Sequence, residues 1–394
     1  MSTLTVPRAS LWLVELHNHA HLRAAYGGPF AAQALRALQR RIEGLGGACT
    51  VLEPFRLLVR LPAEAGGPAS GLAHAPVARH ERWQVALAAM PLMVASQVAC
   101  PVVTIDPVRE GGGGGGYPHA LERSSAAVPC LAPPQFGRSW RAAYEREMAL
   151  AVAFQQAMAQ GRVQVAVQPI VRHDALGRVL YAECRLQVAG RPEDAPAQDL
   201  VPVLERLGLV RALDRSVVRT VLGLLEEDPA AQLGCQVSAH SLVADSWWNS
   251  ILDRLAAQPE VAARLTVGIT SSAAPLDVEV AVAFVQRLKA LGCRIAWDDL
   301  GSGSVAWVRA LRPDVIKLTA SRCRREAPLF RQLAGLAQVL APVVVATGVE
   351  HADALRLAFE AGLDWMQGGL LVPPRLARPC VAMRCEDAHW EAAA

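Results

Sequence analysis

Lysine is almost absent from this chain: Lys289 and Lys317 are two of 39 basic side chains, and the rest are arginine. Paired cysteines are missing too. Nine cysteines are spread singly, with no C-x-x-C pair and no His/Cys cluster at zinc spacing. That pattern excludes a sequence-local zinc site and favours reduced thiols buried as small hydrophobes. The net charge is only +3 and the arginines are scattered, so no nucleic-acid partner is expected. The N-terminus, Met1-Ser2-Thr3-Leu4-Thr5, lacks a basic region followed by an apolar block. No secretory leader is expected, and the location read from these features is cytoplasmic. One uncharged run, Gln84 to Ile105, has the length of a membrane span, but Pro91, Ser96, Gln97 and Pro101 interrupt it. It reads as a core helix followed by a buried strand rather than a span.

What remains is a chain of 394 residues, 52% apolar and 19% charged, long enough for two or three domains with a sizeable core. Residues 11–16 read as a strand and 29–43 as an amphipathic helix; Phe55 to Leu61 reads as a second strand. A helix at about 82–96 and a strand at 101–106 complete a small α+β unit over residues 1–107. Six consecutive glycines, 111–116, and a Pro/Ala/Ser-rich passage follow, so 108–138 is expected to be a flexible connector. The glycine run lacks the G-x-x-x-x-G-K-[ST] pattern of a phosphate loop, and no apolar strand leads into it.

From 139 to 385 the pattern changes. A helix over 140–160 precedes strands at 163–171 and 178–188, and helical and strand-like segments then alternate to the helix at 352–361. Short apolar strands regularly followed by helices imply βα units, and so many in about 250 residues fit a closed barrel better than an open sheet. In a barrel the strand C-termini carry the chemistry, and Glu183, Gln236, Asp298, Lys317 and Thr347 fall at or near such ends.

One stretch carries most information. The strand Ala296-Trp297 runs into Asp298-Asp299-Leu300-Gly301-Ser302-Gly303, and a helix-length stretch leads to Val315-Ile316-Lys317-Leu318. Adjacent carboxylates repel unless a cation or donor neutralises them, so the pair suits a divalent metal. The lysine is placed to meet a phosphate or an attacking water. The plain alternative is a surface Asp pair with an incidental lysine.

These residues resemble the EAL domain, the family that hydrolyses cyclic di-GMP. Gln168-Pro169-Ile170-Val171 is similar to its opening Q-P-I-V strand, and Tyr181-Ala182-Glu183-Cys184-Arg185-Leu186 sits at the E-A-L signature. Asp298 to Gly303 is similar to D-D-F-G-T-G, Val315 to Leu318 to V-I-K-I, Ala346 to Glu350 to A-E-G-V-E, and Met366-Gln367-Gly368 to the closing Q-G. The resemblance implies an α/β fold, a TIM-like (β/α)8 barrel, with two Mg²⁺ or Mn²⁺ ions activating a water for phosphodiester hydrolysis. It implies metal-site roles for Glu183, Asp298 and Asp299, a catalytic role for that set with Lys317, and ligand contacts from Gln168, Glu183, Arg185, Asp299, Lys317 and Gln367.

Departures from the pattern follow. The metal asparagine is Gln236, the metal glutamate of the E-I-T-E strand is Gly268, and its loop-steadying glutamate is Ser271. The glutamate of A-E-G-V-E is Thr347, and the arginine after E-A-L-L is Gln187. Two metal-site carboxylates are therefore gone, and binding of the ion pair should be absent or weak. Catalysis is not expected, and the vestigial set is Glu183, Asp298, Asp299 and Lys317. Fewer carboxylates also repel a dinucleotide phosphate less, leaving Lys317 free to contact it. A metal-free ligand site and a vestigial pocket kept as a docking surface both stay open.

The N-terminal unit resembles the GGDEF domain in eroded form. Leu13 to His19 and Ala25-Tyr26-Gly27-Gly28 follow its L-D-L-D-x-F and Y-G-H pattern, with Glu15 for the first metal aspartate. The signature reads Val51-Leu52-Glu53-Pro54-Phe55, a proline replacing the catalytic glutamate, so diguanylate synthesis is not expected. His17, His19 and His21 alternate but are expected to be surface residues. Trp247-Trp248 reads as core or interface, Arg322-Cys323-Arg324-Arg325 as a solvated helix start, and Glu226-Glu227-Asp228 as a charged helix end. The expected protein is a non-catalytic cyclic di-GMP receptor or protein-interaction regulator in a bacterium, with an EAL-mediated homodimer implied by the resemblance. A slow phosphodiesterase and a nucleotide-independent scaffold are the alternatives.

Overall fold

The computed structural model describes residues 11–60, 83, 86–88, 90–108, 131–135, 137–188, 200–243, 245–301, 303–320 and 327–379. The N-terminal part contains β1 (Leu11–Leu16), α1 (His19–Tyr26), α2 (Gly28–Gly44), β2 (Ala48–Glu53), β3 (Arg56–Arg60), β4 (Leu92–Val94), β5 (Gln97–Ala99) and β6 (Val103–Pro107). Four of these strands form a sheet in the order β2-β3-β1-β6, and β4 pairs with β5 as a hairpin. Helix α2 buries Phe30, Ala31, Ala34, Leu35, Leu38 and Ile42, the three-to-four spacing of one helix face. That stripe shares a core with Val14, Leu16, Leu57 and Val59 of the sheet.

Three expectations change here. The helix expected through residue 96 is helical at 83 and 86–88 but ends before Pro91, and residues 92–99 turn back on themselves through Ala95 at φ 53°. Proline disfavours helix at the preceding residue, so the run divides there. Strand β2 was not foreseen, because all but one of its side chains are exposed and it carries no buried alternation. His21 is buried rather than on the surface: its Nε2 lies 2.7 Å from the Ala132 carbonyl and its ring stacks on Tyr144. The chain enters α1 at His19, so residues two apart point about 200° apart and His21 turns inward.

The second part contains α3 (Arg138–Ala159), β7 (Val163–Arg172), β8 (Ala175–Val188), α4 (Val201–Arg206), α5 (Val210–Glu227), β9 (Leu233–Ser238), α6 (Ser246–Ala257), α7 (Pro259–Ala262) and β10 (Leu265–Thr270). It continues with α8 (Val278–Ala290), β11 (Arg294–Asp298), α9 (Val305–Leu311), β12 (Val315–Thr319), α10 (Ala327–Leu340), β13 (Val343–Thr347), α11 (Ala352–Glu360), β14 (Trp365–Met366) and β15 (Arg375–Pro379). Strands β7 to β14 pair in sequence order, and β14 closes on β7 to form an eight-stranded, TIM-like (β/α)8 barrel. Seven strands are parallel; β7 alone runs antiparallel to both neighbours. Strand β15 pairs with the first half of β7 on the edge that β14 uses for the second half.

Trp247 and Trp248 are core residues, 1% and 2% exposed, at the start of α6. Asp245 caps that helix by accepting from the Trp248 N–H at 2.8 Å and holds Arg211 and Arg215. Cys100, Cys184, Cys235 and Cys293 are buried free thiols, as the spacing suggested. No described helix is long and apolar enough to cross a membrane. Most of the expected connector over 108–138 and the Arg322–Arg325 cluster lie outside the described residues.

Candidate functional site

A strand points alternate side chains to its two faces, so residues two apart on each barrel strand point inward together. Toward one end the interior is apolar: Ile170, Tyr181, Ala296, Val315 and Val345 pack as a separate cluster. Two residues further along the same strands, the lining becomes Gln168 on β7, Glu183 on β8, Asp298 on β11, Lys317 on β12 and Thr347 on β13. The chemistry stands on an apolar floor, and the Lys317 Nζ lies 5.9 Å from the centre of the Tyr181 ring.

Lys317 is 1% exposed and forms an ion pair with Glu183, itself 1% exposed. Its Nζ also lies 3.7 Å from Asp298 Oδ1. Arg185, two residues along β8, donates from Nε to Glu183 Oε2 at 3.0 Å and from Nη2 to Gln367 Oε1 at 3.3 Å. Gln236 donates its amide to Asp298 Oδ2 at 2.6 Å and to Glu183 Oε1 at 3.3 Å. Both Glu183 oxygens and both Asp298 oxygens thus face a cation or an amide N–H.

The titration behaviour follows from this arrangement. Burial alone would raise the Glu183 carboxyl, but the Lys317 and Arg185 charges outweigh it and hold it below the usual range. Asp298 moves the other way: burial raises it and Glu183 repels it, against the pull of Lys317. Burial would lower the Lys317 ammonium, but Glu183 keeps it charged and its pKa above the ordinary value.

Asp299 adopts the left-handed conformation at φ 62°, and its N–H donates to the Lys317 carbonyl at 3.1 Å. A non-glycine residue there is under local strain, which turns the chain sharply at the mouth. Thr347 lies 3.4 Å from both the Thr319 hydroxyl and the Leu318 carbonyl. A Cβ on Gly268 would meet Cys235 O at 3.4 Å and Gln236 Cγ at 3.6 Å, so the longer Gln236 stands beside the empty side of Gly268. Among the described residues no three His, Cys, Asp or Glu side chains converge to hold a metal ion, and at this mouth the Gln236 amide meets Glu183 and Asp298 with its nitrogen, not its oxygen.

Gln168 and Gln367 are buried, 3% and 1% exposed. The Gln367 Nε2 donates to the Gln168 carbonyl at 3.3 Å, and the Gln168 Nε2 donates to the Val372 carbonyl at 3.1 Å. Gly368 makes this possible: a Cβ there would sit 2.1 Å from the Val349 carbonyl oxygen.

Sequence reading brought Gln168, Glu183, Arg185, Asp298, Asp299, Lys317 and Gln367 to one mouth, and the fold gathers all of them there. It missed Tyr181 beneath the lysine, which its spacing of two from Glu183 could have revealed. It also missed a buried acid pair behind the wall. Glu205 accepts from the hydroxyls of Ser238 and Ser272 at 2.6 and 2.8 Å. Asp214 accepts from the Ser238 N–H at 2.9 Å and the Ser241 hydroxyl at 2.5 Å. Burial pushes the Asp214 carboxyl up to about 7. Nothing in the local sequence distinguishes these acids from solvated helix residues.

Comparison with known proteins places this geometry. The profile of the EAL domain matches residues 151–374. The cyclic di-GMP phosphodiesterase PdeF of Escherichia coli K12 is 27% identical over 263 residues, covering 62% of this chain and 34% of that protein. The cyclic di-GMP phosphodiesterase PA2567 of Pseudomonas aeruginosa is 29% identical over 194 residues, covering 46% of this chain and 33% of that protein. The chain thus spans about a third of the length of these curated relatives. Among solved structures, the Xanthomonas citri FimX EAL domain in complex with c-diGMP aligns over 59% of this chain and 96% of its own. The TM-score is 0.47 and the identity 21%. The Vibrio cholerae LapD S helix-GGDEF-EAL structure aligns over 93% of this chain and 90% of its own, with TM-score 0.49 and 12% identity. With the family profile covering more than half of its length, the chain belongs to the EAL domain family.

Proposed function

We propose that this chain is a non-catalytic regulator of cyclic di-GMP signalling, a receptor or protein-interaction module built on a degenerate EAL barrel. The observation that carries this reading is the double capture of Glu183 by Lys317 and Arg185. Two fixed cations and the Gln236 amide already meet the carboxylates that a pair of dications would need. Mg²⁺ takes near-octahedral oxygen ligation and surrenders water reluctantly. Glu183 and Asp298, whose oxygens face internal donors, with Asp299, Gly268 and a neutral Thr347 next to them, do not fit two such ions. The same residues without metal present a mouth where Arg185 and Lys317 offset the acids, which favours an anionic dinucleotide.

Residues 139–385 form the EAL part of this reading, 108–138 the connector and 1–107 a degenerate GGDEF-like domain. In that domain Glu15 is buried and ion-paired to Arg56, so the residue standing for the first metal aspartate is likewise neutralised from within. Metal-free binding of cyclic di-GMP would use Arg185 and Asp299, with Glu183, Gln168 and Gln367 framing the pocket; Lys317, expected to meet a phosphate directly, is buried against Glu183 and acts only through that pair. The output would pass to a protein partner or an EAL-mediated homodimer in the cytoplasm. Calorimetry with cyclic di-GMP, with and without Mn²⁺, coupled to chromatography for linear pGpG, tests the reading. Metal-independent heat without product is the expected result; conversion to pGpG that depends on metal would overturn it.

A further inference from the structure

Tyr181 lies two residues before Glu183 on β8, so both point into the barrel, the ring one step below the carboxylate. The ring crosses toward the neighbouring strand. A Cβ on Gly234 of β9 would sit 2.5 Å from Tyr181 Cε2 and 2.8 Å from Cδ2, so glycine at 234 is what leaves the ring this position. Two cations approach it. Lys317 Nζ lies 5.9 Å from the ring centre, and the guanidinium carbon of Arg294 lies 5.8 Å from it. Arg294 stands two residues before Ala296 on β11, whereas Lys317 is in register with Asp298, two residues after it. The two cations therefore come to the ring from opposite ends of the barrel. Arg294 is anchored in turn by Gln232 Oε1 at 2.8 Å and the Leu180 carbonyl at 3.4 Å. Tyr181 is 1% exposed, and its hydroxyl has no hydrogen-bond partner among the described residues. Burial pushes the phenol up and keeps it neutral, so the ammonium meets an uncharged aromatic surface.

We infer that Tyr181 is a positioning residue of the mouth: braced by Gly234 and Arg294, its ring holds the Lys317 ammonium at the depth where it meets Glu183. An aromatic face attracts a cation within about 6 Å of its centre, and most strongly where water is excluded. Lys317 is almost completely buried, so that condition is met. A lysine stem is flexible and its ammonium is strongly hydrated, so without an attraction from the floor it would be drawn toward solvent at the mouth. Glu183 and Asp298 belong to the mouth itself; Tyr181 supplies the attraction from beneath. The inference rests on the reading in which Lys317 neutralises Glu183 from within, and it says what keeps the lysine there.

Only two lysines are present, which makes this ammonium readable. The full chain is acetylated with acetic anhydride at pH 8, and mass spectrometry follows Lys317 against Lys289, which is paired with Asp314 and serves as internal reference. Loss of a desolvated cation–aromatic contact corresponds to about threefold to thirtyfold in the local opening that exposes the amine. Tyr181→Leu is expected to speed labelling of Lys317 by that factor, with Lys289 unchanged. Tyr181→Phe keeps the ring and is expected to label at the wild-type rate. Pentafluorophenylalanine at 181 has nearly the same shape but a reversed ring quadrupole, and it should label as fast as Tyr181→Leu. Gly234→Ala, which displaces the ring, should do the same. A fluorinated chain that labels at the wild-type rate overturns the inference, because packing alone then holds the lysine. Tyr181→Phe labelling as fast as Tyr181→Leu overturns it too. Should Tyr181→Leu fail to fold, the phenylalanine and fluorinated chains decide the matter between them. Calorimetry showing no cyclic di-GMP binding would defeat the receptor reading, and these rates, taken without ligand, would still decide the role of Tyr181.

Discussion

Replacing Lys317 by methionine tests the claim that fixed cations have taken over the balancing of charge in this barrel. Methionine keeps most of the length and an apolar chain above Tyr181 but removes the ammonium. Lys317 and Glu183 are almost completely buried, and Asp298 Oδ1 lies 3.7 Å from the nitrogen. At about 4 Å and an effective dielectric of about 20, each such attraction is worth about 4 kcal/mol. Breaking a buried pair by removing one partner costs about 3–5 kcal/mol. Arg185 still reaches Glu183, so the lower figure, about 3 kcal/mol, is expected. With a urea m-value of about 3 kcal/mol per molar, the unfolding midpoint at pH 8 should fall by about 1 M.

The pH dependence gives a second signature. The folded Glu183 pKa lies below its ordinary value, so its contribution is present above about pH 4.5 and is lost as pH falls through the folded pKa. The deficit of the variant should therefore be full at pH 7–8 and shrink on acidification. Lys317→Met combined with Glu183→Gln should recover most of the loss. A deficit under about 1 kcal/mol at pH 8, or one that grows in acid, would refute the reasoning.

Asp214→Asn should act in the opposite sense. The Asp214 pKa is raised to about 7 in the fold, so its contribution is full below the unfolded value near 4 and is lost as pH rises through 7. Both Ser238 N and Ser241 Oγ donate to the same carboxylate oxygen, which an asparagine can supply. The variant should be more stable than wild type at pH 8, by at most roughly 4 kcal/mol, and keep only about a third of that advantage at pH 5; urea melts at the two values decide it. Restoring carboxylates at the mouth makes a further check. Gly268→Glu, Gln236→Asn, Thr347→Glu and Arg185→Leu together should let millimolar Mn²⁺ raise the melting temperature by several degrees while the wild type stays unmoved; an equal response from both proteins would count against the charge argument.

The barrel was legible because its strands and helices alternate cleanly and each inward residue sits two from the next. Glu183 and Lys317 could be placed at strand ends from that alone. Their union could not: nothing in the sequence says that Lys317 crosses the barrel to Glu183 rather than reaching for solvent. Arg185 shares the inward face of β8 with Glu183 by that same alternation, but nothing in the sequence says that it folds back on Glu183 and reaches Gln367 across the mouth. Strand β2 escaped notice for the converse reason. A strand exposed on nearly every residue carries no hydrophobic signal, and the pairing with β3 that fixes it comes from outside the segment. His21 was expected on the surface like an ordinary histidine; the contacts that bury it, with Ala132 and Tyr144, come from residues more than a hundred positions away.

The helix Arg138–Ala159 is shared property. Its Tyr144 and Trp140 receive the imidazole of His21, its Met148 sulfur accepts the Cys100 N–H at 3.1 Å, and its other buried residues join the layer outside the barrel wall. One continuous apolar interior therefore runs from Phe30 through Met148 to Val221. Severing the polypeptide in the glycine-rich stretch would not yield two independent bodies, because each piece would carry an oily scar where the other had been.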